Sequence, residues 1–210
     1  MKILVLSSGG INSAFCAEIA AKETDGDVVH LFIDHHQPQV EQERTAARAL
    51  AEYYRVPSYE VVTAIQSGND WPCFKLSTFL MLGLYYAKHS NCDYVYYGVT
   101  EEEGEPQWGG ETNERTLDYS KTLKLLVQEV QPMYDEHGMH KRLVDIAAPV
   151  LLLNWQKLTQ LAIERNVQLE MTWSCESPTN SGRQCGKCSK CKRRSSILKL
   201  AADRSGRLYR

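Results

Sequence analysis

Two stretches carry residue types at spacings that can do chemistry. The first is Ser7-Ser8-Gly9-Gly10-Ile11-Asn12-Ser13, which directly follows the apolar run Ile3-Leu4-Val5-Leu6. After a strand, glycines permit the backbone angles that turn successive N–H groups toward one point, and they let a phosphate come close. A helix starting there adds the positive end of its dipole, with Asn12 or Ser13 suited to cap it. Such a corner is an anion site, and a bare strand–Gly–Gly–helix turn without a ligand is the alternative reading of the same residues. It matches neither G-x-G-x-x-G nor G-x-x-x-x-G-K-[ST], so a dinucleotide fingerprint and a Walker-type loop are unsupported.

The second stretch holds Cys175, Cys185, Cys188 and Cys191, spaced C-x9-C-x2-C-x2-C. Four thiolates on tight turns suit tetrahedral zinc, and the glycine and lysines among them fit turns that donate to sulfur and offset its charge. An iron–sulfur cluster and unligated thiols are the alternatives. Four protein ligands leave no open coordination position, so the metal is expected to be structural. Cys16, Cys73 and Cys92 fall on predicted helices or beside predicted strands and read as packing residues.

The elements that must position these groups alternate between short β-branched or aromatic runs and longer segments of helical period. Strands are predicted at 2–8, 27–34, 58–64 and 93–99, with a weaker one at 143–150. Helices are predicted at 13–23, 39–54, 74–89, 116–131 and 155–165. This alternation and the right-handed crossover rule give an α/β fold, a Rossmann-like, doubly wound, mostly parallel sheet. Residues 1–171 form the predicted nucleotide-binding domain, and 172–210 a small zinc-binding appendage ending in a helix. Residues 100–115 carry Gly, Pro and acid without periodicity, so a binding lid and a plain connector are both open. Asp34, His35 and His36 follow the second strand, at the end of the sheet where such folds bind ligand. His36 reads as a proton shuttle or as a surface histidine capping a loop.

With 210 residues, 43% of them hydrophobic, the chain can bury a real core. Its net charge of -2 gives no strong field toward nucleic acid or membrane, although the segment from Arg183 onward is locally basic. No stretch is long enough to span a bilayer, and the apolar run after Lys2 lacks the pattern of a signal peptide, so a cytoplasmic protein is expected. A zinc-held nucleic-acid module is the weakest reading of the basic tail, because Ile197, Leu198, Leu200 and Ala201 can pack and leave the cations a solvated face.

SGGINS after the first strand, joined to TWSC and CGKCSKC near the C-terminus, resembles the 7-cyano-7-deazaguanine synthase family of queuosine biosynthesis, enzymes of the PP-loop ATP pyrophosphatase type. The segments VHLFIDHHQPQVEQE, DYVYYGV and APVLLLNWQKLTQLA agree with it, and the likeness covers essentially the whole chain. The resemblance implies a Rossmann-like ATP domain, ATP and Mg2+, a structural Zn2+ on the four cysteines, and a homodimer. It also implies a small-molecule deazapurine substrate and an amine donor. By this mapping Ser7, Ser8, Gly9, Gly10, Ile11, Asn12 and Ser13 form the nucleotide loop, with Asn12 and Ser13 at catalytic positions. The implied reaction is ATP-dependent adenylation of 7-carboxy-7-deazaguanine and transfer to ammonia.

Several positions depart from the family pattern. Neutral Asn12 stands where the motif SGGxDS has a carboxylate, and a hard dication prefers carboxylate oxygen. Trp155 stands where a lysine follows the Pro-Leu-x-x-Leu turn, with Lys157 close in sequence. WPCFKLSTF replaces a Pro-Gly-Arg-Asn segment and leaves Lys75 as the nearby cation, and EPQWGGETNER replaces a Tyr-Pro-Asp-Cys-Arg stretch. Two further readings therefore stand beside the ligase: a related enzyme of antiviral operons that attaches the deazapurine to a protein acceptor, and a nucleotide-binding partner subunit without turnover.

Overall fold

The computed structural model describes residues 1–63, 75–100, 124–126, 129 and 143–205. Five strands, β1 (Ile3–Leu6), β2 (Val28–Asp34), β3 (Ser58–Val62), β4 (Tyr94–Tyr96) and β5 (Asp145–Ala147), form one sheet in the order β3-β2-β1-β4-β5. Every pairing is parallel, with Ile3 opposite Val28 on one side and Tyr94 on the other. The chain therefore leaves β1 toward β2 and later returns to β1's other edge with β4. The carboxyl ends of β1 and β4 flank the point where strand order reverses, the place where open α/β sheets leave a crevice.

Among the described residues the sheet is accompanied by the helices α1 (Ile11–Thr24), α2 (Val40–Tyr54), α3 (Lys75–His89), α4 (Trp155–Arg165) and α5 (Ser189–Ser205), with a 3-10 turn at Leu169–Met171. Alternate residues of β1 divide the core between the two faces. Ile3 and Val5 pack with Phe15 of α1, Leu50 of α2, Leu158 of α4 and Ile197 of α5. Leu4 packs on the opposite face with Leu80, Leu84 and Ala87 of α3. This is the doubly wound layering expected from the sequence. The segment after residue 171 differs in composition, yet Ile197 and Leu198 of α5 complete the same core as α1. The Arg194 side chain fixes α5 by donating to Thr172 Oγ1 and to the Leu169 and Glu170 carbonyls.

The strands are shorter than the β-prone runs that predict them, because the last residues of those runs leave the ladder to build loops. The Ser7 and Tyr97 N–H groups make the last bonds to the neighbouring strands, to the Leu31 and Ala147 carbonyls, and the chain turns away from Ser8 and from Gly98 onward. Helix α1 starts at Ile11, two residues before the predicted Ser13, with Gly10 as its N-cap and no side-chain cap. Neither Asn12 nor Ser13 caps it; both lie inside its first turn. At α4 the start agrees, and the Asn154 side chain accepts from the Lys157 N–H at 3.0 Å. The 101–115 loop, the run Glu101–Glu105, Cys73 and most of the 116–131 helix lie outside the described residues.

Candidate nucleotide site and metal cluster

The corner after β1 is a backbone structure, held by contacts that come from far along the chain. Gly9 has φ +73, and a Cβ there would sit 2.5 Å from the Glu43 carbonyl and 2.8 Å from Ala46 Cβ, so this glycine lets the turn lie against α2. Gly98, after β4, plays the matching part on the other side, where a Cβ would meet the Asn12 backbone at 2.7 Å. The Trp173 N–H donates to the Gly9 carbonyl at 2.8 Å. Under the turn, Ser13 Oγ accepts from the Ser8 N–H at 3.0 Å and lies 2.9 Å from Ser8 Oγ. The first carbonyl-to-amide bond of α1 joins Gly10 to Ala14. Amides ahead of Ala14 precede the helical ladder and are the donors a helix start offers an anion.

This corner borders a cavity of about 190 Å3, whose lining includes Ser8, Gly10, Ile11 and Asn12 together with Gly98 and Val99. Gly9 faces α2, Ser13 is buried beneath the turn and Ser7 is buried beside it, so the seven residues predicted as one loop divide into a lining and its support. Asn12 Nδ2 donates to the Gly98 carbonyl at 3.4 Å, a bond a carboxylate could not make.

The remaining walls come from residues that the sequence reading did not assign to the site. Glu43 of α2 lines the cavity, and its carboxylate accepts from the Gln37 amide at 2.8 Å and the Gln39 amide at 3.1 Å. Trp155, Trp173, Ser174, Glu176, Lys190 and Arg193 complete the lining. Lys190 pairs with Glu176 at 2.7 Å, and the Arg193 guanidinium carbon lies 4.4 Å from the Trp155 ring centroid. Among these, Trp173 and Ser174 carried a signal, standing inside the TWSC motif, and so did Trp155, standing at the family's lysine position. Arg193 carried none, because one more cation in a basic tail looks solvated.

Other predicted residues fall elsewhere. Asp34 is paired with Arg44 at 2.6 Å, the His35 ring packs 5.2 Å from Phe79, and His36 is exposed and does not line the cavity. Lys157 is likewise exposed and outside the lining. Cys16 and Cys92 are buried, and burial pushes the Cys92 thiol up to about 11, in keeping with packing rather than reactive roles.

Beyond the cavity, the sulfurs of Cys175, Cys185, Cys188 and Cys191 all lie within 4.8 Å of one another, a cluster able to hold a metal ion. The Cys185 N–H donates to Cys175 Sγ at 3.2 Å, and the Cys188 and Lys187 N–H groups donate to Cys185 Sγ at 3.3 and 3.4 Å. Those last two bonds lower the Cys185 thiol to about 6, favouring the thiolate form that a metal takes. The Trp173 indole N–H donates to the Cys175 carbonyl at 2.8 Å, so one tryptophan bonds both to the first cysteine and to the glycine corner.

The family described as Queuosine biosynthesis protein QueC matches residues 68–202. The chain belongs to the QueC family. This QueC-family chain is 26% identical over 216 residues to a 7-cyano-7-deazaguanine synthase of Campylobacter jejuni subsp. jejuni serotype O:2, covering 90% of each chain. It is 24% identical over 221 residues to the protein of that name from Prochlorococcus marinus strain MIT 9312, covering 94% of this chain and 93% of that one. Among solved structures, an NH3-dependent NAD synthetase from Campylobacter jejuni in complex with nitrate aligns at a TM-score of 0.40 and 15% identity, over 99% of this chain and 87% of that one. Among the described residues of this QueC-family chain, no helix is long and apolar enough to cross a membrane.

Proposed function

We propose that the chain is an ATP-dependent carbon–nitrogen ligase that activates 7-carboxy-7-deazaguanine and passes it to ammonia. The observation that carries this reading is the backbone corner, which opens into a cavity at the sheet's switch point in a chain of the QueC family. A carboxylate cannot be amidated directly, because its oxygen leaves poorly. Its attack on the α-phosphorus of ATP forms a P–O bond and breaks the bond to the bridging oxygen, so pyrophosphate departs with the electron pair. Ammonia then adds to the carbonyl carbon of the acyl adenylate, AMP departs, and a proton is lost to give the amide. A second adenylation on the amide oxygen releases pyrophosphate, and loss of AMP with both protons of the amide nitrogen gives the nitrile.

In this reading the chain's own groups bind and orient rather than form covalent bonds. The amides at Gly10, Ile11 and Asn12 face the phosphates, Ser8 and Ser13 brace the turn, and Trp155 and Trp173 wall the cavity from water. The lining does not assemble a magnesium cage. Position 12 offers a neutral amide, Glu43 is bonded by Gln37 and Gln39, and Glu176 is paired with Lys190. Magnesium fits this cavity as an ion carried on the nucleotide's own phosphates.

Zn2+ fits the cysteine cluster. Tetrahedral zinc–thiolate bonds of about 2.3 Å place sulfurs roughly 3.8 Å apart, and Cys185 Sγ lies 3.9 Å from Cys191 Sγ. Bound there, zinc would be held by four sulfurs and would pin residues 175–191 in place. The homodimer and the free ammonia donor belong to the same proposal and rest on the family likeness, and the cytoplasmic location belongs to it as an expectation from the sequence.

Asn12 supports a second reading. A neutral side chain bonded to the Gly98 carbonyl suits a subunit that binds nucleotide without turning it over. Incubation with ATP, Mg2+, ammonium and 7-carboxy-7-deazaguanine, followed by mass spectrometry, separates the readings. The ligase yields AMP with amide or nitrile, and a protein-linked deazapurine would show a protein acceptor instead. Binding of ATP without AMP formation, relieved by Asn12→Asp, would replace the ligase with the binding subunit.

A further inference from the structure

We propose that Arg193, laid on the face of Trp155, is the cation that holds the nucleotide's β- and γ-phosphates and receives the departing pyrophosphate. The inference rests on the reading of the cavity as a nucleotide site and adds to it a substrate-binding residue from the last helix.

Charge is the first argument. Residues 7–13 contain no lysine or arginine, so the corner meets phosphate with backbone dipoles alone. The lining adds two carboxylates, Glu43 and Glu176, and two cations, Lys190 and Arg193. Lys190 is ion-paired with Glu176 at 2.7 Å. A polyphosphate carries several negative charges, and among the described lining residues Arg193 is the cation that is not paired with Glu176. A planar guanidinium also suits the task, since it offers donors in a fork that matches phosphate oxygens.

Geometry is the second argument. The Arg193 guanidinium carbon stands 4.4 Å from the Trp155 ring centroid, within the range of a cation–π contact. Trp155 is the first residue of α4, and its ring packs partly against the core shared by α1 and α4. Its indole N–H is buried and has no acceptor among the described residues. A tryptophan placed for packing alone usually brings that N–H to a partner. Here the ring leaves its donor unsatisfied and presents its face to Arg193, so the face contact accounts for an indole at this position. Trp155 is then a positioning residue, holding a flexible cation at the wall of the cavity that the glycine corner borders.

The test uses the full, metal-loaded chain and calorimetric titration with ATP, inorganic pyrophosphate and AMP. Arg193→Gln is expected to weaken ATP and pyrophosphate at least tenfold while AMP stays within twofold, because AMP lacks the groups that Arg193 holds. Trp155→Leu should weaken ATP three- to tenfold, again sparing AMP, and Trp155→Phe should restore most of the loss by restoring an aromatic face. Lys199→Ala removes an exposed cation from the same helix and should change none of the three affinities by more than twofold. The proposal is overturned if Arg193→Gln leaves ATP unchanged, or weakens AMP and ATP alike. If the wild-type chain binds none of the three, the nucleotide reading fails and this assignment with it. If the wild type binds ATP and the variants match it, only the assignment of Arg193 fails.

Discussion

The glycine corner and the cysteine cluster are the molecule's two chemically marked regions, and they are built in opposite ways. The cluster is local: four sulfurs from residues 175–191 converge, with neighbouring backbone N–H groups aimed at them. The corner is contiguous in sequence but takes its shape from distant parts of the chain, with Gly9 against α2, Gly98 against Asn12, and Trp173 bonded to the Gly9 carbonyl. A metal can form the first almost without the fold, whereas the second exists only when the sheet is assembled. Trp173 links them, and it makes their independence testable.

Removal of the metal is the harshest way to break that comparison. Structural zinc contributes roughly 10–16 kcal/mol in small zinc-held peptides, so a strong chelator should disorder residues 175–191 and the start of α5. The β-sheet, whose core lies mainly in β1–β5 and α1–α3, should remain folded by circular dichroism. ATP affinity should fall at least tenfold, since Trp173 and Arg193 lose their anchors. An unchanged ATP affinity in chelated protein would show that the two regions are not coupled.

The converse experiment strains the corner and spares the cluster. Gly9→Ala places a methyl against the Glu43 carbonyl at positive φ, and a loss of about 2–4 kcal/mol is expected in denaturant unfolding, with metal content unchanged. Gly26 is the control, because it has φ +89 and a Cβ added there would meet nothing within 4 Å. Gly26→Ala should cost about 1–2 kcal/mol, the contribution of the backbone angle alone. Equal losses at the two glycines would mean that the contact with α2 contributes nothing.

The different construction also explains what could be read from the sequence. Cysteine spacing reports its own geometry, since ligands a few residues apart on turns must converge. The parallel sheet was legible for a related reason: β1 to β4 each alternate or run apolar over several residues, and each is followed by a helical period. The corner was legible as a phosphate-type turn but not in its details. Nothing local says that Gly9 serves α2 while Gly10 faces the cavity, or that Ser13 braces Ser8 instead of capping α1. Of the remaining lining, Trp155, Trp173 and Ser174 stood in segments the sequence marked, whereas its charged residues were hidden. Arg193 and Glu43 reach the cavity through the packing of α5 and α2, and a single charged residue on an amphipathic helix reads as solvated until that packing is known.

Acid gives a smaller effect and separates the sheet from the cluster again. His30 lies at the middle of β2, fully buried, 6.4 Å from the Tyr54 ring, with no partner for either ring nitrogen among the described residues. Burial lowers it from its ordinary 6.5 to about 4. Between those values the unfolded chain binds more protons than the folded one. The stability His30 contributes is therefore complete above about pH 6.5 and is lost as pH falls toward 4, to a limit of about 3 kcal/mol. His30→Leu should flatten that part of the stability–pH curve without altering metal release, which follows the thiolates. A slope that survives the substitution would place the titrating group elsewhere.

The most direct test of the central claim is to watch the amides themselves. In 15N-labelled, zinc-loaded protein, addition of Mg-ATP should shift the backbone N–H resonances of Gly10, Ile11 and Asn12 strongly downfield, as donors to phosphate, while those of the β2 interior stay in place. Saturable ATP binding that leaves these three resonances unmoved would contradict the account, because the nucleotide would then be held somewhere other than the corner after β1.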